Sequence, residues 1–399
     1  MKLALLGPVH PLRGGIAYYL ALLHRELVAA GHTAAFIGFK KQYPERVPDL
    51  PFVRKLRFPG SDQRDSGEAA IPVPNQPLFV PWSPWSWWRT ARAVGRSGAR
   101  TLVLKWWVPF FGPGYFAVAW LVRHFWGVRT IAILDNVIPH EPWPFGRLVT
   151  RAGLGQMDAY IAQSQAVEND LFAVLPRTDR ARVRLVPHPT YDFTAEPPPD
   201  RSTARRELGI SERRVILFFG FIKAYKGLMV LIEAVPRLRD ALGEDFRVLV
   251  VGDFYEDPAP YRRRIAELGI GDRLALVEGF VPNEAVPRYF VAADVVVLPY
   301  LSATQSGIVQ IAYRYDRPVV TTNVGGLPEF VDEGKTGYMV PPGDPAALAG
   351  AVARFFREAD PAAMAAAIAR RRAETSWARL VEAIVELAGA RPQPLHCRP

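Results

Sequence analysis

At 399 residues, 49% of them hydrophobic and 22% charged, the chain is too apolar for a disordered protein and long enough for two globular domains. Its single cysteine, Cys397, excludes a disulfide framework within the chain and fits a reducing, cytoplasmic setting. The formal charge of +10 points to solvated arginine-rich faces or an anionic membrane surface, and without zinc-finger spacing or an RNP-like signature nucleic acid is set aside.

The opening MKLALLGPVHPLRGG lacks the long apolar region and small-residue cleavage site of a signal peptide, so Lys2–Leu6 is expected to be a first buried strand. Gly15–Gly31 carries apolar residues at helical spacing, and Ala34–Gly38 reads as a second strand. Lys41–Pro81, rich in Pro and charge, is expected to form an irregular surface loop. In the FVPWSPWSWWRTARAVGR that overlaps its end, Trp82, Trp85, Trp87 and Trp88 cluster with Arg89, Arg92 and Arg96. Two readings stand for this cluster: an interfacial anchor, or a Trp-rich core beneath the loop. Leu102–Val122 has the length of a membrane span, but Lys105, Pro109, Gly112, Pro113 and Gly114 would break a spanning helix. A strand, a loop and then a helix are expected there. Further strands are expected at Thr101–Trp106, Thr130–Leu134, Ala159–Ala162 and Val183–Val186, and a linker at Phe193–Ser202, which contains EPPPD.

The second half repeats the alternation of strand and helix. Strands are expected at Arg214–Gly220, Arg247–Gly252, Leu274–Gly279, Asp294–Tyr300 and Pro318–Thr322, with helices at Gly227–Leu242 and Tyr261–Leu268. EGKTGYMVPPGDPAALA reads as a hairpin-like segment leading into a helix capped by Asp344. A helix at Pro361–Glu374 precedes a last one near Ser376–Leu387. The fold class is therefore α/β, with two Rossmann-like domains facing across a cleft. Ligands in such sheets bind at the carboxyl ends of the strands.

Three motifs sit at such ends. After DVVVLPY, a loop with Ser302, Thr304 and Ser306 leads into a helix start at Ser306–Gly307, whose backbone amides suit an anion. The alternative is an ordinary capped helix. GGLPE, Gly325–Glu329, is a tight turn that exposes amides after the next strand. RVILFFG runs into FIKAYKG, placing Lys223 and Lys226, two of only eight lysines, where they would neutralise a diphosphate; two solvated loop lysines are the alternative. Gly14 and Gly15 follow the first strand, without the three-glycine dinucleotide fingerprint.

On FFGFIKAYKG, GGLPE and the EGKTG turn, the chain resembles family 4 of the retaining glycosyltransferases, most strongly from Arg214 to Leu348. The resemblance implies the GT-B fold, with residues 1–195 binding acceptor, 203–375 binding nucleotide-sugar, and a helix at 376–390 crossing back to the first domain. It implies that Lys226 is the family's phosphate-binding lysine. The usual Arg partner falls at Phe221, so that Lys223 would supply the missing charge. Gly14 and Gly15 match the glycine loop beside the donor phosphates, and Ser306, Gly307, Ile308 and Val309 the helix start at the distal phosphate. Glu329 matches the acidic residue after the paired glycines Gly325 and Gly326, and Glu278 falls near the nucleobase. Two departures stand out. The family's Glu, seven residues, Glu pattern falls at Ala303 and Ile311, leaving Gln305, beside Thr304, as the nearest polar side chain. Where the family often has His, this chain has Asp135 and Asn136, with His140 and Glu141 beyond.

The resemblance implies an enzyme that moves a sugar from a UDP- or GDP-sugar to a glycan or lipid-linked acceptor with retention. Polysaccharide or cell-envelope biosynthesis at the inner face of a membrane is the implied setting. The leaving diphosphate itself would take the acceptor's proton, so catalysis is positioning and charge stabilisation, with Lys226, Lys223, Asp135 and His140 as catalytic candidates. No cofactor is expected. No essential metal is expected either, since no Asp-x-Asp site is present and DFYED, Asp253–Asp257, reads as a surface turn. A sugar-nucleotide 2-epimerase of the same fold and a catalytically inactive donor-binding protein are the alternatives.

Overall fold

A computed structural model describes residues 1–12, 14–44, 71, 73–138, 145–190, 197–303 and 306–389. The chain divides into two compact units, Met1–Pro187 together with the stretch from Trp377 onward, and His188–Ser376.

The first unit is built on seven strands: β1 (Lys2–Gly7), β2 (Thr33–Phe39), β3 (Asn75–Phe79), β4 (Thr101–Trp106), β5 (Arg129–Leu134), β6 (Ala159–Ala162) and β7 (Val183–Leu185). They lie in the order β3-β2-β1-β4-β5-β6-β7, and every pairing is parallel. β4 and β6 are buried along their whole length because helices cover the sheet, which is why they read as apolar runs, interrupted in β4 by Lys105. Successive residues of β4 face opposite layers. Leu102, Leu104 and Trp106 share a core with the helices Pro84–Arg96 and Gly112–Trp126, while Lys105 turns toward Tyr19 of the helix Gly15–Ala29. The carboxyl-terminal helix, Trp377–Gly389, also packs on this unit, with the Trp377 ring 5.0 Å from that of Tyr19. This is the crossing back that the family resemblance implies.

One sequence expectation changes here and another holds. Lys41–Pro81 is not wholly irregular, because its end forms β3, the edge strand beside β2. Pro77 within it hides the strand from a sequence reading, yet an edge strand tolerates a residue without an N–H. Leu102–Val122 resolves into β4, a short 3-10 turn at Pro109–Phe111 and a helix, as expected. Among the described residues no helix is long and apolar enough to cross a membrane.

The second unit has six parallel strands: β8 (Arg214–Phe219), β9 (Phe246–Gly252), β10 (Leu274–Glu278), β11 (Val295–Leu298), β12 (Val319–Thr322) and β13 (Gly337–Val340), in the order β10-β9-β8-β11-β12-β13. The segment read as hairpin-like is instead β13, paired parallel with β12. Its Gly and Pro residues mimic turn punctuation, while Gly337 is needed because a Cβ there would lie 1.9 Å from the Val319 carbonyl oxygen. Asp344 caps the following helix, accepting from the amides of Ala346 and Ala347 at 2.9 Å.

In both sheets the strand order, not the strand direction, reverses beside the first strand, at β1/β4 and at β8/β11. Such switch points leave a crevice at the carboxyl ends of the two diverging strands.

Candidate active site

At the β8/β11 switch point the loops after both strands meet. β8 ends at Phe219, and Gly220 follows with φ +113°; a Cβ there would stand 3.5 Å from Lys226 Nζ and 3.4 Å from Ile308 Cδ1. A 3-10 turn, Ala224–Lys226, then presents Lys226, and Leu301 N donates to the Tyr225 carbonyl at 2.7 Å to tie the two loops together. Lys226 Nζ donates to Tyr300 Oη at 3.3 Å, and Tyr300 Oη lies 3.4 Å from Ser306 Oγ. Ser306 is the N-cap of the helix Gly307–Arg314; its Oγ accepts from Ile308 N at 3.2 Å and its carbonyl from Val309 N at 3.3 Å. One ammonium, two hydroxyls and a helix N-terminus therefore converge on one spot. Burial disfavours the Lys226 ammonium, but the Tyr300 and Tyr225 phenols more than offset it and hold its pKa above the ordinary lysine value. The cation is retained at neutral pH. A positive helix end and a fixed cation are the groups that bind a phosphate and stabilise its charge as it leaves.

The other expected residues of this unit that the structure describes lie at strand ends and in loops of the same sheet. Lys223 begins the same turn, half-buried. Ala224 N donates to Glu256 Oε2 at 2.8 Å, so an acid of the DFYED stretch anchors the lysine turn. Phe221, where the resemblance led an arginine to be expected, packs edge-on against Tyr255, with centroids 4.6 Å apart. Gly325, Gly326 and Glu329 follow β12, next to β11, with Glu329 in a 3-10 turn whose carbonyl accepts from Arg371. Glu278 ends β10, two strands from β8, and is engaged by Arg262 through both its oxygens, at 3.0 and 2.5 Å. Ala303 and Ile311 are both buried. Thr304, Gln305 and His140 lie outside the described residues.

In the first unit Gly14, with φ +114°, precedes Gly15 at the start of the helix Gly15–Ala29. Asp135 follows β5 and is buried, with Oδ1 2.8 Å from Lys105 Nζ. Sequence reasoning missed Tyr300, Gly220 and the partners of Asp135. A lysine inside the apolar run TLVLKW was the available signal for the last of these.

The model of the family glycosyl transferases group 1 matches residues 213–358, the stretch that carries Lys226, Tyr300, Ser306 and Glu329. That stretch is a group 1 glycosyl transferase domain. Relatives named D-inositol 3-phosphate glycosyltransferase include that of Nocardia farcinica, 30% identical over 70% of this chain and 65% of its own length. Another, from Corynebacterium efficiens, is 34% identical over 59% of each. The chain spans about three fifths of the length of such relatives, 62%, 60% and 59% in three of them. Among solved structures, Anabaena HepE in complex with UDP has a TM-score of 0.71 at 17% identity, covering 97% of this chain and 99% of that one. Sucrose-phosphate synthase from Thermosynechococcus elongatus has a TM-score of 0.69 at 22% identity, covering 97% and 98%. At these identities the likeness concerns the fold, and the group 1 domain sits in a chain of GT-B architecture.

Proposed function

We propose that the protein is a retaining glycosyltransferase that moves a sugar from a UDP- or GDP-sugar to a glycan or lipid-linked acceptor. The observation that carries this is the Lys226–Tyr300–Ser306 cluster at the switch point of a group 1 glycosyl transferase domain. The cluster holds the donor's distal phosphates, and Lys226 and the helix amides stabilise charge as the sugar–phosphate bond breaks. Residues 203–375 bind the donor, residues 1–195 the acceptor, and the helix at 376–390 belongs with the latter. The test is a transfer assay with a panel of nucleotide sugars and acceptors, including inositol phosphates and a lipid extract, with products resolved by mass and anomeric configuration. Transfer with retention supports the proposal. A 2-epimerised nucleotide sugar, or binding of nucleotide sugar with no product, would replace it by one of the two alternatives.

A second reading concerns the acceptor's setting. In the helix Pro84–Arg96, Trp87 is tucked inward, its Nε1 donating to the Val80 and Pro81 carbonyls at 3.1 and 3.2 Å. Trp85 is 67% exposed and stacks on exposed Trp88 at 5.4 Å, with exposed Trp82 nearby in sequence. Arg92 lies 5.2 Å over the Trp88 ring. Arg89, Arg92, Arg96, Gln76 and Trp88 line an open cavity of about 400 Å³, and none of these arginines has a carboxylate partner among the described residues. The neighbouring helix Gly112–Trp126 exposes Phe116, Trp120, Phe125 and Trp126. Unpaired cations among exposed aromatics fit an anionic membrane surface, which favours a lipid-linked acceptor and a peripheral position on the inner face. Co-sedimentation with liposomes is expected to require anionic lipid and to weaken with salt. It is also expected to fall when Trp85 and Trp88 become Ser. Recovery in the supernatant under all conditions would discard this reading.

A further inference from the structure

The lysine turn Ala224–Lys226 is tethered at each of its three residues. The loop after β11 holds two of them, Lys226 through the Tyr300 hydroxyl and the Tyr225 carbonyl through the Leu301 amide. Ala224 is held from the other side of β8, by the loop after β9. β8 and β9 come close where they end, since a Cβ on Gly252 would lie 2.0 Å from the Gly220 carbonyl oxygen. Beyond that point Ile222 N donates to the Asp253 carbonyl at 2.8 Å and Tyr255 N to the Ile222 carbonyl at 3.0 Å. Glu256 is thereby brought alongside the turn. The first amides of a helical turn have no partner within it, and the residue at the cap position here is Lys223, whose side chain offers donors only. Glu256 supplies the missing acceptor. Its Oε2 accepts from Ala224 N at 2.8 Å, and its Oε1 accepts from the Tyr261 hydroxyl. Tyr261 belongs to the core of the second unit, on the helix Ala259–Glu267, so the carboxylate bridges a packed helix and the turn. Burial and the neighbouring carboxylate hold the Tyr261 pKa above the ordinary tyrosine value, which keeps the proton on Oη to be donated.

We infer that Glu256 is a positioning residue for donor binding, which fixes the start of the lysine turn so that the Lys226 ammonium stands where the diphosphate of the nucleotide-sugar binds. The inference rests on the proposed role of Lys226 at the donor's phosphates. Burial, Tyr300 and Tyr225 set the charge of Lys226, so Glu256 acts on the backbone that carries the ammonium and not on its protonation. A loosened turn would still bear the cation but would have to be ordered at each binding event, which lowers affinity. The role is one of geometry, and this decides which substitution does harm. Glu256→Ala removes the acceptor. In Glu256→Gln the amide oxygen still accepts from Ala224 N, while the amide nitrogen turns to Tyr261 Oη.

The test is calorimetry with UDP and GDP as probes, on Glu256→Ala, Glu256→Gln, Lys226→Ala and the double variant Glu256→Ala/Lys226→Ala. Glu256→Ala is expected to weaken binding of the better probe about tenfold or more, the scale of a lost hydrogen bond to a charged group. Glu256→Gln is expected to recover most of that loss. In the Lys226→Ala background Glu256→Ala is expected to cost about threefold or less, because the turn then has no cation to place. Unchanged affinity in Glu256→Ala overturns the inference. So do losses that multiply in the double variant, which would make Glu256 a prop of the fold with no link to Lys226. A Gln variant as weak as the Ala variant also overturns it, since the carboxylate's charge would then matter and not its bond to Ala224. Should Glu256→Ala fail to fold, Tyr261→Phe frees one end of the same carboxylate. It is expected to weaken binding when Lys226 is present and not when Lys226 is Ala, and equal effects in the two backgrounds overturn the inference. Calorimetry needs no acceptor, so the expected pattern in a protein that transfers no sugar would remove glycosyl transfer alone. A chain that binds neither UDP nor GDP would remove the donor reading and the positioning role with it.

Discussion

Lys226→Ala is expected to lower kcat for sugar transfer by about a hundredfold or more, the scale of losing one preorganised charge at a leaving group. The cation is held by Tyr300 at 3.3 Å and kept charged by its surroundings, so nothing else in the cluster replaces it. The side chain is only half-buried and bears no part of the hydrophobic core, so the melting temperature should change little. Affinity for the free nucleoside diphosphate should fall together with kcat, since the same ammonium meets the phosphates in both states. Lys223→Ala is expected to cost less, because Lys223 begins the turn and Lys226 ends it beside the helix start. Steady-state kinetics with the best donor decide the matter, and a Lys226→Ala enzyme with ordinary turnover would remove the phosphate assignment.

The second large effect is on stability. Gly227 ends the lysine turn with φ +69°, and a Cβ there would fall 1.9 Å from the Pro299 carbonyl oxygen. Both sides of that contact are backbone, so no rotamer change relieves it. Gly227→Ala is expected to destabilise the second unit by about 3 kcal/mol, combining a clash with a left-handed conformation that L side chains rarely adopt. For a unit of this size that lowers the melting temperature by roughly 10 °C. Gly127→Ala is the control. Its φ of 62° and ψ of 23° lie in the same left-handed region as those of Gly227, but a Cβ there meets nothing within 4 Å. It should cost the first unit only about 1 kcal/mol, the conformational part alone. Calorimetric melts of the two variants separate clash from conformation, and equal losses would show that the Pro299 loop simply moves aside.

What the sequence made legible follows from how each element meets solvent. β8, β9 and β11 are covered on both faces, so they read as unbroken apolar runs with sharp ends. β3 was hidden by Pro77, and β13 by the glycines and prolines around it. Lys226 was legible because a charge after a buried strand can only sit at the sheet's edge. Tyr300 was not, because a tyrosine closing an apolar strand looks like core, and its hydroxyl's role depends on a lysine 74 residues away. The tryptophans could not be sorted by composition alone. Trp87 shares a helical stripe with buried Ala91 and Val94, whereas Trp85 and Trp88 share one with Arg92. The rotation of the helix on its sheet decides which faces outward. Lys105 served the sequence reading only as a helix breaker, because its partners come from three separate places in the chain.

The path of the chain also sets an order of assembly. The second unit is one continuous stretch, whereas the first is complete only when the helix Trp377–Gly389 has been added to it. Synthesis proceeds from the amino terminus, and domains generally close as units as they emerge. When Pro187 leaves the ribosome, all seven strands of the first sheet exist, but Tyr19 still lacks Trp377. The second unit has every element it needs before that helix is made. The half of the protein that is translated first is therefore the half that finishes last, and a nascent chain halted anywhere short of residue 377 carries a first sheet with part of its cover missing.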